Sequence, residues 1–106
     1  MGRRNPNSSP KRVCIGYCQV ELFFPGSASL KDKRNILRRL KDRLAHRFNL
    51  SIAEIGHQEL WQRAQVGMVM ISNDPAFLDR SFQGIRKEIE SIQPGEILEF
   101  NVDFLQ

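Results

Sequence analysis

Cysteine is scarce in this chain, and the little there is forms no framework. Cys14 and Cys18 are the only two. On an extended strand they would stand ~13 Å apart at ~3.3 Å per residue, too far for the ~4.4–6.8 Å between Cα atoms that a disulfide requires. The expectation is two small core residues in a reducing compartment. His46 and His57 complete no metal pattern with them, so no metal site and no cofactor is expected. Long apolar runs are missing as well. None approaches the ~18 residues of a membrane span, so no membrane partner is expected. The opening residues carry charges with no apolar segment behind them. A secretory signal is therefore not expected, and the cytoplasm is the default location. No glutamate stands between Glu21 and Glu54.

Charge is present in quantity but unevenly placed. The net +4 comes from residues 1–12, where Arg3, Arg4, Lys11 and Arg12 meet no acidic residue. Rich in Pro, Asn, Ser and Arg, this stretch is expected to be a disordered basic tail. It is either a solubilising extension or an arm attracted to phosphate. The remaining 13–106 is neutral overall yet dipolar: residues 13–52 sum to +5 and residues 53–106 to −5. A chain of 106 residues supports one domain with one core, here 13–106.

Residues 13–24 alternate with period two and are largely apolar on both faces, which predicts a central strand. Cys14, Gly16, Cys18, Val20, Leu22 and Phe24 make one face. Val13, Ile15, Tyr17, Gln19, Glu21 and Phe23 make the other. Pro25 and Gly26 break it. From residue 29 to 48 the spacing predicts an amphipathic helix, with Leu30, Leu37, Leu40, Leu44 and Phe48 on one face and Asn49 at its end. Ser29 is a suitable N-cap, with Asp32 as its capping-box partner. Leu50 to Ile55 and residues 64–72 read as two further strands. Asp74 and Pro75 start a second helix, with Leu78, Phe82, Ile85, Ile89 and Ile92 inward, and Gln93, Pro94 and Gly95 stop it. Ile97 to Leu105 alternates as a fourth strand, with Leu98, Phe100, Val102 and Phe104 directed inward. This order is the α+β, ferredoxin-like βαββαβ arrangement. It predicts a four-stranded antiparallel sheet in the order 4-1-3-2, with two helices on one face.

The first helix carries half of the chain's basic residues: Lys31, Lys33, Arg34, Arg38, Arg39, Lys41, Arg43 and Arg47, against Asp32 and Asp42. Arg34–Arg38, Arg39–Arg43 and Arg43–Arg47 are like-charge pairs four apart, each costing a few tenths of a kcal/mol. A solvated face needs no such concentration of one sign. An anionic partner explains it, with RNA the leading candidate and an acidic protein surface the second; a purely solvated face is the remaining alternative. The candidate RNA-binding residues are Lys31, Arg34, Arg38, Arg39, Arg43 and Arg47. Lys33 falls inside the apolar arc. Either its stem covers the core while its ammonium reaches solvent, or it pairs with Glu21 or Glu54.

The sheet face is a poor RNA platform. RNA-recognition sheets stack bases on aromatics of the first and third strands. Tyr17 and Phe23 lie on the first, the third has none, and Glu21, Glu99 and Asp103 would repel phosphate. A protein partner or a second copy suits this face better, so a homodimer is expected, with Tyr17, Phe23, Trp61 and Arg63 as candidate interface residues. Trp61, the sole tryptophan, either anchors an interface or caps the core beneath its hairpin. Catalysis has little support. The turn before the first helix lacks the P-loop pattern, and no nucleophile–base pair or carboxylate pair is assignable, so no enzyme activity is expected.

The segments Glu21-Leu22-Phe23-Phe24-Pro25-Gly26-Ser27, Ser29-Leu30-Lys31-Asp32-Lys33-Arg34, Arg47 through Glu54 and Leu60-Trp61-Gln62-Arg63-Ala64 together resemble the YlxP-like family, small bacterial proteins of unknown function. The resemblance covers roughly residues 13–106, and residues 1–12 precede the family's usual start. It implies a ferredoxin-like fold. It also implies gene neighbourhoods with translation initiation and ribosome maturation factors, hence a ribosome-linked role. It carries over no catalytic residues. The expected function is RNA binding or ribosome association through the first helix; the alternative is a homodimeric protein-interaction module with no nucleic-acid role.

Overall fold

A computed structural model describes residues 13–92 and 95–105. The expected tail 1–12, and the Gln93-Pro94 part of the expected helix stop, lie outside the described residues. The elements are β1 (Cys14–Phe23), α1 (Leu30–Arg47), β2 (Ser51–Gly56), β3 (Arg63–Ser72), α2 (Pro75–Ser91) and β4 (Glu96–Leu105). The strands form one antiparallel sheet in the order β2-β3-β1-β4, which is 4-1-3-2 read from the other edge. The topology is ferredoxin-like. Among the described residues, no helix is long and apolar enough to cross a membrane.

One face of the sheet carries the core. Cys14, Cys18, Val20, Leu22 and Phe24 of the first strand region are buried there, with Ala64, Val66, Met68 and Met70 of β3 beside them. Against them pack Ile36, Leu37, Leu40 and Leu44 from α1 and Leu78, Phe82, Ile85 and Ile89 from α2. At Gly16 a side chain of α2 packs directly on β1. A Cβ at that position would overlap the Phe82 ring, so a larger residue there would push Phe82 away from β1. Phe82 also meets Phe104 edge-on, with ring centroids 6.2 Å apart.

The helix ends follow local chemistry. The Ser29 hydroxyl accepts from the Asp32 N–H at 3.0 Å, and the Asp32 carboxylate accepts from the N–H of Ala28. This is a capping box displaced by one residue at its return bond. α1 ends at Arg47 with Phe48 as its cap, one residue before the expected Asn49. Asp74 caps α2 through the Ala76 N–H, with Pro75 in the first turn.

Two expectations are corrected. β4 does not alternate cleanly: its register against β1 shifts between Glu21 and Leu22, so Leu22 faces Ile97 and Val20 faces Phe100. Leu98 sits in the resulting bulge, 48% exposed, and Ile97 takes the inward place assigned to it. The inward face of α1 also differs. Leu30 is only partly covered, Ile36 is buried, and Lys33 is enclosed at 1% exposure. Its ammonium therefore does not reach solvent.

Candidate functional site

Along the outer side of α1, Lys31, Arg34, Arg38, Arg39, Arg43 and Arg47 are all exposed, and Lys41 is half-buried. They are not equivalent. Glu88 on α2 is buried, with Arg47 donating to its carboxylate and Arg43 3.4 Å away. The Arg47 hydrogen bond leads in holding the Glu88 carboxyl below its ordinary range, against the upward push of its burial; the Arg47 and Arg43 charges and Ser91 assist. Arg43 and Arg47 thus serve to join the two helices. The remaining basic groups, Lys31, Arg34, Arg38, Arg39 and Lys41, have no carboxylate within ion-pair distance among the described residues. Arg38 donates only to Asn35, one turn back. Arg34, Arg38 and Lys41 line a shallow groove of about 260 Å³ with Leu37 and Glu54, on the side of α1 that faces β2. Arg39 lies on a second depression with Asn35, Ile36 and Asp32.

Lys33 joins this helix to the loop between β2 and β3. Its Nζ donates to the carbonyls of His57 at 2.7 Å, Arg63 at 3.2 Å and Gln58 at 3.4 Å. Glu54 Oε2 stands 2.9 Å from it, as an ion-pair contact rather than a well-directed hydrogen bond. Of the two carboxylates considered for Lys33, Glu54 is the partner. Glu21 lies on the other face of the sheet and is buried beneath two cationic or polar side chains. Its Oε2 accepts from Arg63 at 2.8 and 3.1 Å and stands 2.9 Å from His57 Nε2. Gln62 completes the loop's attachment, donating to the carbonyls of Pro25 at 3.0 Å and Ser27 at 3.1 Å.

The candidate interface residues divide in the same way. Trp61 is 55% exposed, just after the His57–Leu60 turn of this loop and beside an exposed Leu60, and does not cap the core. Arg63 is engaged by Glu21 within the chain. Tyr17 and Phe23 lie on the open sheet face, both partly covered, and the Tyr17 hydroxyl donates to Gln19. That face is more apolar at its other end. Ile15 on β1 is flanked in register by Ile71 on β3 and Leu105 on β4, both 64% exposed. Val13 and Val69 are exposed nearby, and Ile55 is exposed farther along the same face, beside Gly67 and Tyr17. Among the described residues, no cluster of three His, Cys, Asp or Glu side chains could hold a metal ion.

Sequence reasoning missed Glu88 and Gln62, while for Lys33 it left exposure of the ammonium and pairing with Glu21 or Glu54 both open, and the pairing with Glu54 is the one found. Lys33 and Glu88 had a visible signal. Lys33 lies on the apolar arc of α1 three residues before Ile36, and Glu88 lies three residues after Ile85 on α2. A charged residue at such a place must find a partner or a way out. Gln62, in a polar loop, had none.

Solved structures resemble this one in fold. The de novo designed protein Foldit4 superposes with a TM-score of 0.55 at 10% identity, over 90% of this chain and 98% of its own. A C-terminal segment of the alpha subunit of aIF2 from Pyrococcus abyssi does so with 0.50 at 14% identity, over 90% of this chain and 51% of that one. Sequence comparison is more specific. A family described as "Protein of unknown function (DUF503)" matches residues 15–102. The uncharacterized protein YlxP of Bacillus subtilis (strain 168) is 35% identical over 77 residues, 73% of this chain and 84% of that protein. The chain accordingly belongs to the YlxP-like DUF503 family of proteins of unknown function.

Proposed function

We propose that this protein is a binding protein rather than an enzyme, and that the outer face of α1 binds RNA. The observation that carries the reading is the set Lys31, Arg34, Arg38, Arg39 and Lys41. They are exposed or half-exposed on one helix, and no carboxylate neutralises them among the described residues. Of the other described arginines, Arg43 and Arg47 pair with Glu88, Arg63 with Glu21 and Arg86 with Glu90, while Arg80 on α2 stands alone without such a partner among the described residues. A helix that keeps five cations unpaired tolerates mutual repulsion, and an RNA backbone relieves it by displacing condensed counterions. The setting we propose is cytoplasmic and ribosomal, in ribosome maturation or translation, the association the family resemblance implies. The test is RNA binding by a chain carrying Arg34→Gln, Arg38→Gln and Arg39→Gln. These side chains are exposed, so the fold should persist while affinity falls. Equal binding by wild type and variant would remove α1 from the reading.

A second reading concerns the opposite layer. The apolar row Ile71–Ile15–Leu105 crosses three strands of the open sheet face. A second copy laid on it by two-fold symmetry would cover these side chains and leave α1 free. Dimerisation and RNA binding are therefore compatible.

A further inference from the structure

We propose that Trp61 stacks on an unpaired nucleobase, so that the RNA taken by this chain is single-stranded. The inference rests on the reading of α1 as the phosphate-binding surface and names the class of RNA.

The sole tryptophan stands in a loop that is anchored from three directions. Lys33 holds the carbonyls of His57, Gln58 and Arg63 from the helix side of the sheet. Glu21 holds the side chains of His57 and Arg63 from the open side. Gln62 binds the carbonyls of Pro25 and Ser27, and its own carbonyl accepts from the Phe24 N–H at 2.8 Å. His57 turns the chain in the left-handed region, φ 59°, a conformation uncommon for residues other than glycine. Burying an ammonium costs several kcal/mol unless its partners are well placed. Here that burial secures a loop whose tip is left in solvent. Glu59, Leu60, Trp61, Gln62 and Arg63 line an open, shallow depression of about 390 Å³. Because the backbone of the loop is already fixed, stacking a planar ring on its indole carries a smaller ordering cost.

The occupant follows from charge. The residue that holds the loop, Lys33, lies between Lys31 and Arg34 in the chain, and these two point to solvent. Lys31 to Lys41 covers ~15 Å of helix at ~1.5 Å per residue. Phosphates laid along this row arrive at the helix end that the Trp61 loop abuts. Single-strand binders combine these same two elements, a basic track and an aromatic platform. In a duplex the base faces are already stacked on one another and are not available to an indole.

The experiment follows Trp61 fluorescence while a single-stranded oligouridylate, or an RNA duplex of equal length, is added at one salt concentration. The expected result is quenching by the single strand and not by the duplex. Trp61→Ala should weaken single-strand binding by about 5- to 150-fold, the range that loss of one stacked base gives. Trp61→Phe should restore most of it, and duplex binding should not change. Single-strand binding with unmoved fluorescence and full affinity in Trp61→Ala would overturn the stacking and leave the α1 reading standing. Quenching that persists when Arg34, Arg38 and Arg39 are all Gln would uphold the stacking and remove α1. Fluorescence unmoved by both RNAs would also overturn the proposal, leaving Trp61 and Leu60 to a protein partner.

Discussion

The Nζ of Lys33 lies 2.7 Å from the carbonyl oxygen of His57, so a buried side chain of α1 holds a surface loop in place. Two more carbonyls and Glu54 complete its surroundings. Lys33→Met keeps the apolar stem and removes the charge. It leaves Glu54 without its cation and three carbonyls without their donor. Breaking a buried pair from one side costs ~3 kcal/mol or more. In a domain of this size that lowers the melting temperature by more than ~10 °C. A calorimetric scan showing a change of only a few degrees would mean that water replaces the ammonium without loss.

Glu88 gives the stability of the helix pair a pH dependence. Its carboxyl titrates below the ordinary value in the folded chain, first because Arg47 donates a hydrogen bond to it, and in spite of its burial. The unfolded chain therefore takes up a proton at higher pH than the folded chain does. The stabilisation is complete above the ordinary glutamate pKa, about 4.3, and fades as pH falls through the lower folded value. Melting temperatures measured from neutrality into acid should converge for wild type and Glu88→Gln, with wild type higher at neutral pH. Parallel curves across the whole range would show that the Arg43–Arg47–Glu88 contact contributes no pH-dependent stability.

Cys18 should be chemically silent in the folded protein. Burial pushes its thiol up to about 12, and Cys14 is equally enclosed. The thiolate is the nucleophile, so for Cys18 neither protonation state nor access favours reaction, and for Cys14 access does not. Iodoacetamide at mildly alkaline pH should add nothing to the native chain and label both cysteines in guanidinium chloride, as read by mass spectrometry. Rapid labelling of Cys18 without denaturant would show that the sheet opens locally.

Self-association through the open face is tested where its apolar row is most exposed. Ile71→Glu places a charge beside Ile15 without touching the core, since Ile71 is 64% exposed. Sedimentation should show a dimer for wild type and a monomer for the variant, with unchanged circular dichroism. A wild type that is monomeric at ~100 μM would end this reading, because a functional dimer is normally tighter than that.

Much of the fold was legible because it is written in local periodicity. The two apolar faces of β1, the Ser29 cap and the Asp74-Pro75 start are each decided within a few residues of chain. The bulge at Leu98 was not legible. It depends on register against β1, and a one-residue slip exchanges Leu98 for Ile97 with no change in the composition of either face. The candidate site divides in the same way. The excess of cations on α1 can be counted in the sequence. Which of them remain unpaired depends on Glu88, 41 residues beyond Arg47, and no spacing rule connects the two. Trp61 stood out as a residue type, but its exposure follows from three anchors, and one of them, Gln62, looked like ordinary loop chemistry.

The most direct test of α1 as the RNA-binding surface is the salt dependence of RNA binding, compared between wild type and the Arg34→Gln, Arg38→Gln, Arg39→Gln chain. Each lost phosphate contact flattens the plot of log affinity against log salt by about 0.7 for a single strand. Three lost contacts should therefore reduce the slope by about 2, with melting temperature nearly unchanged. A wild-type chain that binds RNA with the same affinity and the same slope as the variant would contradict a phosphate-binding role for α1.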